Sequence, residues 1–340
     1  MTTSEQRPLW ISESEVVSMM DIPGAIAALE RGLLAEAQGT AYNMVKTHAE
    51  WDGSTLHAIG AVFPTIGICG TKTWTHTPAG ATPLLILFDT NTGALKCIIE
   101  AFALGQMRTA AASGVATRWL AEPAANSFAI IGTGKQAITQ VAAVLAVRPI
   151  RDIRVFSRDP VHRTQFVTRL RSEFQVEVAD VASVRKAVEN ASIITVATRA
   201  SDPILTADML RPGAHVNSVG AIVPSRAEVA QDVLARSTRV VTDSIPQAQK
   251  LSREMVEFFG EDPARWSAVR PLAAIVADQA SRSASDDLTL FKALGVGISD
   301  LSLGIELYRQ ALASGLGYAF SPPQRMSPRL GRASPGSAGR

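Results

Sequence analysis

Cysteine is scarce in this chain: Cys69 and Cys97 are the two present, each inside an apolar run (TIGICGTK and ALKCIIEAF). Neither belongs to a CxxC pair, and the sequence predicts two buried structural thiols. The five histidines (His48, His57, His76, His162 and His215) show no HxxxH spacing, so no metal site is expected. No apolar run approaches the roughly 20 residues that span a bilayer, so no membrane partner is expected. The opening segment MTTSEQRPLW has neither a basic region nor an apolar stretch, which argues against a secretory signal and makes the cytoplasm the default expectation. A net charge of +2 gives no electrostatic case for nucleic acid. Part of that charge sits in SPPQRMSPRLGRASPGSAGR (321–340), whose Ser, Pro, Gly and Arg content predicts a disordered tail.

What is present is globular: 46% of the residues are apolar and 19% charged, and 340 residues suit two domains. From about Asn126 to Ser244, short β-branched runs alternate with helical stretches. The runs are SFAIIG (127–132), IRVFSR (153–158), VEVAD (176–180), SIITVAT (192–198), AHVNSVG (214–220) and RVVTDS (239–244). That alternation predicts parallel βαβ units, an α/β Rossmann domain with a doubly wound parallel sheet over 126–297. Residues 1–125 read as a separate α+β domain for substrate binding and dimerisation. It has an amphipathic helix (IPGAIAALERGLLAEAQG), short strands (HAIGAVFP, GICGTKTW, PLLILFDTNTG, ALKCIIEA) and a long Ala-rich helix at 104–121. The DTNTG segment suits a hairpin turn. The last helix, 298–314 within a C-terminal segment 298–320, has an apolar face (Ile298, Leu301, Ile305, Tyr308, Leu312) and is expected to return to the N-terminal domain, making that domain discontinuous.

Gly132, Thr133, Gly134, Lys135, Gln136 and Ala137 spell G-x-G-x-x-A between a predicted strand and a predicted helix. The first glycine permits the tight turn, the second lets backbone approach a pyrophosphate, and the helix N-terminus faces the phosphates. At the end of the second strand the chain reads Phe156, Ser157, Arg158, with no acid before Asp159. A hydroxyl and a guanidinium suit a 2′-phosphate, so NADP(H) is favoured and NAD(H) is the alternative. Thr198, Val219 and Gly220, at the ends of later strands, complete the expected cofactor contacts.

Gly70 and Lys72 in a G-x-K strand, LFDTNTG (87–93), MRTAAASGVATRWLA (107–121), NSVGAIVPSRAEV (217–229) and TLFKALGVGISDL (289–301) stand in order along the chain. Together they resemble the ornithine cyclodeaminase/μ-crystallin family. The resemblance implies a homodimer that binds a small imino or amino acid between its two domains. It matches Lys72 and Arg108 to a clamp on the substrate carboxylate, a role paired cations suit chemically. Lys46 stands where the family has a further arginine, keeping the charge without the bidentate fork. Lys72 is also the expected proton donor or imine-orienting group. For Arg108 the alternative is pairing with a core acid, and for Lys72 and Lys46 a surface position. Asp300, after the F-K-x-x-G block, either lines the nicotinamide pocket or caps or pairs within the last helix. Trp74, Met44 and residues near His57 are expected on the pocket wall, and His76 at the surface.

One departure narrows the activity. Cyclodeaminases that turn ornithine into proline carry a catalytic Asp in V-G-x-D-x-P-G-K, and here Ile222 takes its place. Isoleucine cannot accept a proton or hold an amine. The expectation is therefore an NAD(P)H-dependent oxidoreductase that reduces the C=N of an imino acid or cyclic ketimine carboxylate (pyrroline- or piperideine-2-carboxylate type), or runs the reverse. The alternatives are a cyclodeaminase-type lyase, an amino-acid dehydrogenase such as an alanine dehydrogenase, and a non-catalytic crystallin-like binding protein.

Overall fold

The computed structural model describes residues 7–330. The first residues of the opening segment and the second half of the expected tail lie outside the described residues. Residues 321–330 are exposed and carry no helix or strand. Among the described residues no helix is long and apolar enough to cross a membrane.

Two sheets organise the chain. The first is all parallel, with the strand order Glu177–Asp180, Asp152–Phe156, Ser127–Ile131, Ile193–Val196, His215–Ser218, Leu288–Lys292, Ser237–Thr242 and Val269–Pro271. From Ser127–Ile131 the chain first builds outward on one side and then crosses to Ile193–Val196 on the other. The order therefore reverses between these two strands, the point beyond whose carboxyl ends sheets of this kind bind their ligands. Six of the strands coincide with the expected runs. The strands Leu288–Lys292 and Val269–Pro271 are additional. All five residues of Leu288–Lys292 are buried, and a strand covered on both faces has no polar alternation to mark it.

The second sheet is mixed, ordered Tyr318–Ala319, Leu9–Ile11, Leu95–Glu100, Leu84–Asp89, Ile68–Thr77, Ser54–Phe63 and Tyr42–Asn43, with Thr47–Trp51 also paired to Ser54–Phe63. The DTNTG turn forms here: the Asp89 carboxylate accepts the N–H groups of Asn91 and Thr92, each at 2.9 Å. The helix Phe102–Leu120 runs between the two halves, buried on most of its surface by small side chains. At Gly114 a Cβ would fall 2.6 Å from Ile26 of the helix Ile22–Ala37 and 3.4 Å from Ala143 of the helix Ala137–Leu145. Small residues are what let three helices meet at that distance.

The last helix, Gly297–Ser314, lies on the mixed sheet and on the helix Ile22–Ala37, with Leu301, Ile305, Leu307 and Ala311 in one core with Leu29, Leu33, Leu85 and Ile99. Its N-terminus approaches the strand Ser54–Phe63 so closely that a Cβ on Gly297 would sit 1.8 Å from the Gly60 carbonyl. Asn43 fixes the same end by accepting the Ile298 N–H at 2.9 Å. This contact sets the height and rotation of the helix, and thereby the position of Asp300 in its first turn.

Candidate active site

Along the strand Ile68–Thr77 burial alternates, and the inward set is Ile68, Gly70 and Lys72. A lysine on that face must leave water, and Lys72 is 4% exposed. Its Nζ donates to Asp300 Oδ1 at 2.5 Å and lies 4.9 Å from the ring centre of Trp74. Trp74 in turn stacks on His57, with ring centres 4.7 Å apart. Burial pushes the Lys72 amine down to about 8, and the Asp300 carboxylate limits that fall.

Arg108 reaches the same carboxylate from the helix Phe102–Leu120. Its Nε is 3.3 Å from Asp300 Oδ1, an ion pair without hydrogen-bond geometry. Asp300 is wholly buried, and among the described residues its Oδ2 has no hydrogen-bond partner. Behind the guanidinium sits Gly295, where a Cβ would fall 2.5 Å from Arg108 Nη1. Gly295 is itself held by Asp243, whose buried carboxylate accepts the N–H groups of Leu294 at 3.0 Å and Gly295 at 2.7 Å. Burial raises the Asp243 carboxyl against those bonds.

Lys46, half-buried in an otherwise exposed segment before Thr47–Trp51, completes the group. Burial and the repulsion of Arg108 lower its amine, while Asp243 and Asp300 draw it back up. Three cations therefore share two buried acids. A third acid, Glu36, borders them: its Oε1 accepts a hydrogen bond from Asn43 Nδ2 at 2.7 Å, and its Oε2 is buried without a partner among the described residues. Burial, and then the nearby Asp243, raise this carboxyl to about 7.

The glycine turn lies at the carboxyl end of Ser127–Ile131, at the reversal of the parallel sheet. Gly132 has φ +104°, and a Cβ there would fall 2.4 Å from the Ala197 carbonyl. Gly134 faces open space, and among the described residues no acceptor in the chain takes the N–H groups of Gly134, Lys135 or Gln136. Gln136 Oε1 is also buried without a partner among the described residues. Free amides at the start of the helix Ala137–Leu145, over a position with no side chain, fit a pyrophosphate. Thr133 lies within the turn, and the Lys135 ammonium stands 5.7 Å from the ring centre of Phe102. At the neighbouring strand end Arg158 is exposed and Ser157 Oγ donates to the Asp159 carbonyl at 3.1 Å. The Asp159 carboxylate accepts from Val161 and His162 as a helix cap.

Residues 9–315 match the ornithine cyclodeaminase/mu-crystallin family. The chain belongs to this family. Among its relatives, a Delta(1)-pyrroline-2-carboxylate reductase of Bacillus cereus (strain ATCC 10987 / NRS 248) is 31% identical over 236 residues, 69% of this chain and 72% of that protein. The ketimine reductase mu-crystallin of Mus musculus is 28% identical over 221 residues, 64% of this chain and 66% of that protein. Among solved structures, the Thermococcus litoralis Delta(1)-pyrroline-2-carboxylate reductase in complex with NADH and L-proline superposes with a TM-score of 0.85 at 28% identity, covering 92% of this chain and 100% of that one.

In this family member the structure gathers Lys46, Lys72, Arg108 and Asp300 in one cluster and sets Trp74 beside Lys72. Arg108 does meet a core acid, the alternative reading of its sequence context, and that acid is Asp300. Asp300 pairs with the two cations across the domain and not within its own helix. Lys72 is not a surface lysine. His76 is exposed, and Met44 is 36% exposed. Of the two thiols Cys97 is buried, with burial pushing its pKa up to about 12, whereas Cys69 is only half-buried, so the expectation of two buried thiols holds for one. Ile222 is half-buried in the irregular segment after His215–Ser218. Among the described residues no group of three His, Cys, Asp or Glu side chains could hold a metal ion. Sequence reasoning missed Asp243 and Glu36. An acid closing the apolar run VVTD was the available signal for the first; nothing local marks the second.

Glu36 makes the site's charge testable. A carboxyl raised from its ordinary 4.5 to about 7 keeps its proton in the folded chain where the unfolded chain has lost it. Its contribution therefore turns unfavourable as pH rises through that window and is fully unfavourable above it. Glu36→Gln cannot ionise, so its stability relative to wild type should rise between pH 5 and pH 8 in denaturant titrations. Parallel pH profiles for the two proteins would contradict the assignment.

Proposed function

We propose that this chain is a nicotinamide-dependent imine reductase that converts a cyclic ketimine carboxylate of the pyrroline-2-carboxylate type to the corresponding amino acid, or catalyses the reverse. The observation that carries this reading is the buried Lys72 ammonium, held on Asp300 beside the Arg108 guanidinium: a proton donor placed next to a carboxylate-binding cation. When bound, the reduced nicotinamide supplies a hydride. The chain does the rest. Arg108 and Lys46 hold the substrate carboxylate and so orient the C=N bond. Lys72 gives a proton to the imine nitrogen, which makes its carbon the better hydride acceptor, and the C=N π electrons pass to nitrogen as the new C–H bond forms. Asp300 keeps Lys72 charged in a dry site until that transfer.

The names of the Bacillus, mouse and Thermococcus relatives support this substrate class. Ile222 speaks against a cyclodeaminase, because no group at that position can handle the proton or amine that ring closure with loss of ammonia requires. NADPH is the favoured donor. Asp159 is spent on capping its helix, which leaves Ser157 and Arg158 to meet the adenosine ribose. The chain works as a homodimer, which would cover the exposed Tyr42, Trp51 and Leu56 on strands at one side of the mixed sheet and Val45 between two of them.

Three measurements test these statements. NADPH consumption with cyclic imines, and with keto acids plus ammonia or methylamine, should show turnover on a pyrroline- or piperideine-2-carboxylate. Arg108→Ala should lower kcat/KM by on the order of 100-fold, the loss expected for one desolvated charge contact. Tight NADPH binding with no turnover on any compound would leave a binding protein. Arg158→Ala should raise KM for NADPH about tenfold and leave NADH untouched; an equal change for both would remove the 2′-phosphate role. Sedimentation should give twice the 36.1 kDa chain mass, and a monomer would remove the dimer.

A further inference from the structure

Beneath the cofactor crevice lies a second set of buried charges. Glu228, wholly buried, accepts five hydrogen bonds. Oε1 takes the Thr198 N–H at 2.7 Å and the Thr198 hydroxyl at 2.9 Å. Oε2 takes the N–H groups of Gly220 at 2.8 Å and Ala221 at 3.2 Å, and the Ser218 hydroxyl at 3.1 Å. Below it, the buried Lys292 Nζ meets Glu254 Oε1 at 2.7 Å and Ser218 Oγ at 3.2 Å.

A buried carboxylate is costly unless its oxygens are filled with donors, and here every neighbour of Glu228 donates. Those donors come from the carboxyl ends of two adjacent strands, Ile193–Val196 and His215–Ser218. The two ends are in backbone contact, since a Cβ on Gly220 would fall 2.0 Å from the Thr198 carbonyl. Across the sheet reversal, Ala197 and Thr198 also pack on Gly132. The adenosine ribose belongs at the end of Asp152–Phe156 and the pyrophosphate at the glycine turn. The remaining half of a dinucleotide therefore lies over the ends that Glu228 ties together.

We propose that Glu228 is a positioning residue: by gathering donors from two strand ends, its carboxylate fixes the nicotinamide half of the cofactor crevice. The inference rests on the nicotinamide reading above. A glutamine of the same size cannot replace it, because its NH2 would face donors where an acceptor is needed.

The test is binding, without substrate. The Kd of NADPH and NADH is measured by nicotinamide fluorescence for wild type and Glu228→Gln. The Kd of 2′,5′-ADP or ADP, matched to the preferred dinucleotide, is measured calorimetrically. Glu228→Gln should weaken the dinucleotide about tenfold or more, the usual scale for losing a residue that orients a binding group, and leave the fragment within about twofold. Equal loss for both ligands means general damage and overturns the proposal, as does no loss for either. If Glu228→Gln does not fold, Ser218→Ala, which deletes one of the five donors at a wholly buried position, must show the same selective loss at smaller size; wild-type binding there also overturns it. A wild-type protein that binds neither dinucleotide removes the nicotinamide reading, and the proposal with it. At saturating NADPH, Glu228→Gln should also lower kcat more than it raises the KM of the imine.

Discussion

Asp300 holds one carboxylate, wholly out of water, against Lys72 and Arg108, and the rest of the site is arranged around that fact. Two cations so close would repel strongly in a medium that screens poorly, and neither would be stable there alone. The acid makes their convergence tolerable, while among the described residues its second oxygen and the Arg108 Nε remain without hydrogen bonds. The free guanidinium N–H suits an anionic group, and the free carboxylate oxygen suits a donor such as an amine. Placing the acid is the task of the last helix, and the helix can deliver it because Gly297 lets its end rest on the Gly60 carbonyl.

The two buried clusters divide the work. The one around Asp300 sets two cations on one carboxylate and leaves hydrogen-bonding capacity unfilled among the described residues. In the other, the Glu228 carboxylate takes all its donors from the chain's own backbone and hydroxyls and ties two strand ends together. Asp243 stands between these styles, since it holds Leu294 and Gly295 by their backbone while its charge acts on Lys46 and Arg108.

Much of this was legible in the sequence where the physics is local. The glycine turn, six strands of the parallel sheet and the DTNTG hairpin each follow from a few neighbouring residues. Arg108 could be singled out because a charge in a helix of small apolar residues needs a reason, whereas Lys72, between Thr71 and Thr73, was marked by the family resemblance alone. What they would meet could not be read, because Asp300 lies 228 residues beyond Lys72. The strand Leu288–Lys292 escaped because both of its faces are covered, which erases alternation. Glu228 sits in an irregular loop, where no period exists to show that its side chain turns inward. Glu36 reads as an ordinary polar position on an amphipathic helix until Asn43 and Asp243 are seen beside it.

That 228-residue separation also has a meaning in time. At about 5–20 residues per second, a ribosome needs on the order of ten seconds or more to reach Asp300 after making Lys72. Through that interval the mixed sheet lacks both its covering helix and the acid that neutralises its inward lysine. The N-terminal half therefore cannot close as a finished domain while it emerges. The parallel sheet waits almost as long, because its interior strand Leu288–Lys292 is made shortly before Asp300, so the two halves are completed late and close together.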